Sequence, residues 1–451
     1  MADKAIVVTD LGYGDSGKGT MVDYLVRQAP SVVIRHNGGA QAAHNVVLPD
    51  GRHHTFSQFG SGSFLNDVPT YLSRYMLVNP LYIFTESQQL NGLDVTDVMQ
   101  RLVIDADAKV VTPWHLLTNQ LRELARGADR HGSCGHGVGE AMADAIDHPE
   151  LTIYIRNLYD GTLPDRLAAV RNHKFVQAKE LARQSEPGHS LLAEFMSNDL
   201  FANTASIYRT LVGMVQVVET DYLDYLARSY DQLVFEGAQG VLLDEWYGFH
   251  PYTTWSTTGH HNAEQLLGEV GFDGEIIRLG VVRSYMTRHG AGPFVTEDTA
   301  LDAQMPEPHN GNNVWQHGFR VGHPDMVALR YALEVIGGAD ALALTHLDRA
   351  KDISRVATTY TMSEPVDSSL FDAIGQMVTR IIPGSIDELD RQEAITQALM
   401  SAQPNYQQFS ATADMSVAEG LTSVFMNELT LPVCYTSNGP TWADKHALVA
   451  C

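Results

Sequence analysis

Along the chain, short continuous apolar runs alternate with longer stretches whose apolar positions recur at helical spacing. Ala5-Ile6-Val7-Val8-Thr9 is the first such run, and Met21 to Val26 is the first helix-like stretch. A continuous apolar run bounded by turn residues suits a strand buried on both faces, whereas recurrence near 3.6 residues suits a helix with one buried stripe. The same pattern predicts strands at Val32-Val33-Ile34-Arg35, at Tyr75-Met76-Leu77-Val78 and within Leu233 to Asp244. Further strands are expected at Ile276 to Tyr285, Ala341 to Asp348, over 353–362 and at Leu431 to Thr436. Helices are expected from Pro80 to Leu90, through most of 164–232 with a break at Gln184 to His189, from Asp325 to Val335, and over 385–402. Val46 to Phe56 is a hairpin pattern turning at Asp50-Gly51. The threonine-rich Pro251 to Thr258 suits an edge strand, and Asn310 to Pro324 a polar loop. Strands interleaved with helices favour an α/β fold built on a large, mostly parallel sheet flanked by helices. No linker, repeat or low-complexity tract divides the chain, so residues 1–451 are expected to form one domain.

Glycine-dense turns follow several of these strands. The first, Gly12-Tyr13-Gly14-Asp15-Ser16-Gly17-Lys18-Gly19-Thr20, nearly spells a phosphate loop, with Gly12, four residues, Gly17 and Lys18. Backbone amides and a helix N-terminus converge on phosphate in such a turn. Asp15 does not belong in a plain anion cradle, because its charge opposes the phosphate. A bound magnesium ion, or a task as proton acceptor beside the phosphate, would account for it. Asn37 to Asn45 is a small-residue run in which Gln41 and His44 alone have polar reach, and Ser133-Cys134 lie in a third loop, His131 to Gly139. Gln239 ends an apolar run with an amide suited to a purine edge, and Thr254 offers a hydroxyl. Asp348 closes a strand with two acceptor oxygens able to hold a guanine edge, and Ser437-Asn438-Gly439-Pro440 forms a turn that could face a base.

Composition narrows the partners. The formal charge of −24 opposes long nucleic acid, so small anions are expected only where local cations and amides overcome that field. No run of about 18 apolar residues and no charged-then-apolar leader is present, which predicts a cytoplasmic protein without a membrane partner. Cys134, Cys434 and Cys451 are far apart and odd in number, which excludes a zinc pattern and argues against a disulfide framework.

Six stretches together resemble the adenylosuccinate synthetase family, in order and over almost the full length. They are Gly14 to Gly19, Gly38-Gly39 through His44, Phe235-Glu236-Gly237-Ala238-Gln239-Gly240, Thr287 to Phe294, Thr345-His346-Leu347-Asp348 and Ser437 to Pro440. Residues 360–430 fit that family least. The resemblance implies a magnesium-dependent ligase, usually a homodimer. A nucleoside triphosphate, ATP or GTP, phosphorylates the 6-oxygen of a purine nucleoside monophosphate, and L-aspartate then displaces that phosphate. It implies catalytic roles for Asp15, as acceptor of the N1 proton, and for His44, as the acid at the leaving diphosphate. Magnesium would meet Asp15 and the Ala43 carbonyl. Gly14, Gly17, Lys18, Gly19, Thr20, Asp348, Ser437, Gly439 and Pro440 would hold the triphosphate. Ser16, Gln41, Ser133, Cys134, Gln239, Thr254, His317 and Arg320 would hold the acceptor nucleotide and aspartate.

Departures from the family pattern bear on the substrate. Synthetases acting on IMP usually carry Glu after the loop Asp, an Asn-Ala-Gly-His run, a Thr at the phosphate contact, and an arginine-rich aspartate loop. Here those places hold Ser16, Gln41-Ala42-Ala43-His44, Cys134, and Trp315 to Arg320 with one arginine. A serine beside the purine frees volume and can accept from an exocyclic 2-amino group, which guanine has and hypoxanthine lacks. This resembles the branch that converts dGMP to N6-succino-2-amino-dAMP. IMP remains the alternative acceptor, and a nucleotide-binding sensor or hydrolase the alternative of another class.

Overall fold

Val7 and Val8 lie at the centre of the molecule, on a strand buried from Ala5 onward (Lys4–Asp10, β1). The computed structural model describes residues 2–127, 133–184, 186–305, 318–409 and 416–449. Around β1 a ten-stranded sheet forms from Ser31–Arg35 (β2), Thr70–Leu72 (β3), Leu102–Asp105 (β4), Gln216–Val218 (β5) and Gln232–Glu236 (β6), with Glu275–Arg283 (β7), Ala341–Thr345 (β8), Val433–Ser437 (β9) and Lys445–Ala447 (β10). Its order is β10-β9-β8-β7-β1-β6-β2-β3-β4-β5. Every neighbouring pair is parallel except β9 with β10.

The two faces of β1 explain its apolar run. Ile6 and Val8 pack with Met21, Val22 and Leu25 of the helix Lys18–Leu25 (α1), while Ala5 and Val7 pack with Leu223, Leu226, Ala263 and Leu266 on the other side. Alternate residues of a strand point to opposite faces, and each fully buried aliphatic side chain of this size contributes about 1.5–3 kcal/mol. A second, antiparallel sheet forms from Arg355–Thr361, Phe371–Ile374, Met377–Ile381 and Gln403–Gln408. Val356, Val378 and Ile381 from it share a core with Leu342 and Leu344 of β8.

Three expectations are corrected. Pro251 to Thr258 contains no strand, because its polar groups close locally: Thr258 donates to Asp244 from its amide at 2.7 Å, and the Thr257 hydroxyl donates to Glu245 at 2.7 Å. Phe319–Gly322, inside the expected loop, is a strand paired antiparallel with Met286–His289, a partner too distant in sequence for local pattern to reveal. Cys434 is disulfide-bonded and Cys134 free. Spacing along the chain says little about which thiols meet once the sheet has formed.

Candidate active site

From β1, α1 and β2 lie toward one side of the sheet, while β7 to β10 build the other. In open parallel sheets, the carboxyl ends of strands at such a divide form the usual ligand crevice. The glycine-rich turns after β1, β2 and β6, together with the turns after β7, β8 and β9, all leave the sheet at these ends. They touch one another. Leu242 donates its amide to the Gly12 carbonyl at 3.1 Å, and Ala238 donates to Asn37 Oδ1 at 2.7 Å. The Thr345 hydroxyl donates to the Ser16 carbonyl at 2.7 Å, and the Thr20 hydroxyl to the Pro440 carbonyl at 2.9 Å. Gly14, at φ +109°, lies where a Cβ would stand 3.2 Å from the Gln239 Cα, and a Cβ on Gly19 would stand 2.8 Å from the His44 Cβ. Only glycine lets these loops approach so closely.

The first turn is organised by a residue outside the glycine pattern. Asp10, at the end of β1 and 1% exposed, accepts from the amides of Gly12 (2.8 Å), Gly14 (3.3 Å) and Ser16 (2.8 Å). It also accepts from the Ser16 hydroxyl at 2.9 Å and from Lys18 Nζ at 3.0 Å, while Lys18 Nζ donates to the Gly14 carbonyl at 2.7 Å. Gly17 precedes α1 in the left-handed region, at φ +89°.

Asp15 is held by its backbone and left partly open at its side chain. Arg283 donates to the Asp15 carbonyl at 3.1 Å, and His289 Nε2 stands 3.5 Å from the carboxylate, whose side chain is 23% exposed. Burial pushes the Asp15 carboxyl up from its ordinary range, with His289, Arg283 and Lys18 pulling it back. A carboxylate biased in this direction is a better proton acceptor than a free one.

His44 begins the strand His44–Val47, and its Nδ1 lies 2.5 Å from Glu236 Oε1 at the end of β6. The Ser61 amide donates to the other Glu236 oxygen at 2.9 Å, and the Ser61 hydroxyl donates to Oε1. Burial works against the Glu236 charge, but His44, Arg35 and Ser61 outweigh it and hold the carboxyl at about 2. Burial holds the His44 imidazole at about 4 against the pull of Glu236. At neutral pH the ring is therefore neutral, with Nδ1–H donating to an ionised Glu236 and Nε2 left for a ligand.

His36, at about 3, and His260, at about 4, are likewise kept neutral by burial. Unfolded histidine takes up a proton near pH 6.5 and these three do not. Their contribution to stability is thus intact above that pH and lost progressively as pH falls toward 4. Chemical denaturation between pH 7 and 4.5 should show a loss on the order of several kcal/mol, much of it removed in a His36→Phe, His260→Gln variant if that variant folds.

Both Gln41 amide atoms and Gln239 Oε1 are buried without a hydrogen-bond partner among the described residues. Gln239, at φ +57°, lies between Gly14 and Gly38. Buried amide atoms without partners are costly unless a ligand supplies them. The Ser256 hydroxyl accepts from the Gly38 amide at 3.0 Å and fastens the second loop to the threonine-rich one, whose Thr254 amide donates to the Leu243 carbonyl at 2.8 Å. Ser133 donates to Asn119 at 2.9 Å, and burial pushes the Cys134 thiol up to about 11, so it stays protonated. Gly139, in the helix that follows, packs against Trp255 and brings this loop to the Thr254 stretch.

Arg320 is not an open cation. It donates to Glu297 at 2.8 Å and to the carbonyls of Gly290 and Gly292 at 2.7 and 3.0 Å. His317 lies outside the described residues. Ala43 is exposed, as is Asp348, which acts on the charge of Lys445; the Lys445 ammonium donates to the Gly439 carbonyl at 2.8 Å. The Ser437 hydroxyl also donates to Gly439, at 3.0 Å. Asp10, Glu236 and Ser256 join the site through contacts that local sequence pattern does not announce. Asp10 itself has a local signal, a carboxylate ending an apolar strand just before the glycines, whereas the partners of Glu236 and Ser256 are distant in sequence.

The family model described as adenylosuccinate synthetase matches residues 7–445. An adenylosuccinate synthetase of Vibrio cholerae is 31% identical over 365 residues, covering 80% of this chain and 81% of that protein. One from Neisseria meningitidis is 30% identical over 349 residues, covering 76% and 77%. Among solved structures, fully ligated adenylosuccinate synthetase from Plasmodium falciparum superposes with a TM-score of 0.76 at 18% identity, covering 98% and 99%. Succinoaminodeoxyadenylate synthetase of cyanophage S-2L, bound to dGMP and dATP, superposes with a TM-score of 0.59 at 17% identity, covering 100% and 97%. Among the described residues, no helix is long and apolar enough to cross a membrane. With its loops gathered at the carboxyl ends of one parallel sheet and the family match running almost end to end, this chain belongs to the adenylosuccinate synthetases, the C–N ligases that join aspartate to a purine nucleotide.

Proposed function

We propose that the chain joins L-aspartate to C6 of dGMP, giving N6-succino-2-amino-dAMP, with one nucleoside triphosphate converted to diphosphate and phosphate. The observation that carries this reading is Ser16, a 6% exposed hydroxyl next to Asp15, where a long carboxylate would crowd a 2-amino group. Asp15 takes the N1 proton, so that the 6-oxygen can attack the terminal phosphorus and the diphosphate leaves. His44 Nε2 faces that diphosphate. With Glu236 ionised behind Nδ1, the ring gains a second proton when a phosphate anion arrives in front, because it then lies between two negative charges. The amino group of aspartate next displaces phosphate from C6 and loses a proton. Gln41 and Gln239 supply unspent amides for the acceptor nucleotide. Lys18 and the start of α1 serve the triphosphate, with Asp348 and the turn 437–440 at its base.

Magnesium suits this donor set. Among the described residues no cluster of three or more His, Cys, Asp or Glu forms a ready cage, whereas Asp15 and the Ala43 carbonyl offer one or two hard oxygens. Magnesium ordinarily takes one or two protein oxygens plus phosphates and water. Bound there, it would neutralise charge on the transferring phosphate. Pairing of two chains is part of the same proposal.

The competing acceptor is IMP, favoured by the relatives at 30 and 31% identity, which are adenylosuccinate synthetases. Purified protein with Mg²⁺, L-aspartate, ATP or GTP, and dGMP, GMP or IMP in parallel separates the two by product mass. A succinylated 2-aminopurine nucleotide is expected. Succino-AMP alone replaces the proposal with the IMP reading, and triphosphate hydrolysis without aspartate incorporation removes both. In the same assay, Ser16→Glu should weaken use of 2-amino substrates by about tenfold or more relative to IMP.

A further inference from the structure

The carboxylate of Asp10 fills the nest that the first glycine turn makes. Its two oxygens accept from three amides, one hydroxyl and one ammonium, all belonging to residues 12–18. Two consequences follow from donor and acceptor counting. First, the amides of Gly12, Gly14 and Ser16 already have an anion and are not spare for a phosphate. Second, the single hydroxyl proton of Ser16 is committed to Asp10 Oδ1, so what Ser16 offers to any other group is lone pairs only.

We propose that Asp10 is a specificity-positioning residue: by holding the Ser16 proton it fixes Ser16 as an acceptor, and so selects a purine that carries a donor at C2. This rests on the reading that Ser16 faces C2 of the acceptor base. A serine free to rotate could satisfy either an amino or an oxo substituent, whereas a serine tied to a buried carboxylate serves only the amino group. An oxo group at C2 would bring acceptor against acceptor, which is worse than the bare hydrogen of hypoxanthine. Adjacent negative charge also makes the Ser16 oxygen a stronger acceptor.

The test measures kcat/KM for dGMP, dIMP and dXMP, the 2-amino, 2-hydrogen and 2-oxo nucleotides, in the native enzyme, Asp10→Ala, Ser16→Ala and the double variant. The native enzyme should rank dGMP above dIMP above dXMP. Asp10→Ala removes both acceptor oxygens and frees the Ser16 proton, whereas an asparagine oxygen at the Oδ1 place would go on accepting it, and in Asp10→Ala the ratio of dXMP to dGMP should rise at least tenfold. Ionisation of the xanthine ring is the same in both enzymes and cancels in that comparison. Loss of loop order alone would lower all three substrates together and leave the ratios unmoved, and that outcome overturns the inference. In a Ser16→Ala background, Asp10→Ala should have no further effect on the ratios, since its influence passes through the hydroxyl. If Asp10→Ala does not fold, native enzyme against Ser16→Ala decides: a dXMP to dIMP ratio that rises in Ser16→Ala supports the inference, and one left unchanged overturns it. Failure of the underlying reading looks different: the native enzyme prefers dIMP, and Ser16→Ala leaves the dGMP to dIMP ratio where it was.

Discussion

Asp15→Asn is expected to lower ligation by about 10²–10⁴-fold, the usual worth of a positioned proton acceptor, while triphosphate binding remains measurable. The substitution keeps shape. The Arg283 contact is to the Asp15 backbone and survives, and His289 still faces a polar group, so the loop has no structural reason to collapse. What disappears is the capacity to take a proton from N1 at the moment the 6-oxygen attacks phosphorus. Calorimetric titration with triphosphate and steady-state turnover on the same preparation give the two halves of the result. Turnover at the native rate would remove Asp15 from the mechanism.

Glu236→Gln should be nearly as damaging, although Glu236 is 0% exposed and touches His44 rather than substrate. A carboxamide cannot supply the negative charge that lets the ring hold two protons against a departing diphosphate, and it can turn the imidazole to the other tautomer. In enzymes that orient histidine with a carboxylate, this exchange has cost about 10⁴-fold in kcat. We expect a loss of about a hundredfold or more in kcat with KM for aspartate little changed, since the defect lies in phosphoryl transfer. Glu236→Ala adds a stability cost of about 1–3 kcal/mol for each donor left unpaired, because the Ser61 amide and hydroxyl and the His44 Nδ1–H lose their shared acceptor. A Glu236→Gln enzyme with native kcat would show that His44 needs no charge behind it.

What the sequence revealed and what it concealed divide along the length scale of the interactions. The strands β1, β2, β6, β7, β8 and β9 were visible as apolar runs because both of their faces are buried, and the turns after them because glycine cannot be replaced where backbones meet. The hairpin at Asp50-Gly51 was visible because its turn is local, with strands His44–Val47 and His53–Phe56 on either side. Concealed were features that need a distant partner. Glu236 lies inside a glycine-rich motif, yet its partner is a histidine 192 residues away. Phe319–Gly322 becomes a strand only because Met286–His289 is there to pair with it. Asp10 was hidden for the opposite reason, as a polar residue ending a strand looks like the start of any turn. Arg320 had the right type for aspartate recognition, but Glu297 and two carbonyls already occupy it.

The bond from Thr20 to the Pro440 carbonyl joins positions 420 residues apart. The turn after β1 and the turn after β9 thus meet at the carboxyl ends of the sheet. Removing β9 and its turn would therefore strip the Thr20 hydroxyl of its acceptor, so damage near one end of this sequence is felt in the loop near the other.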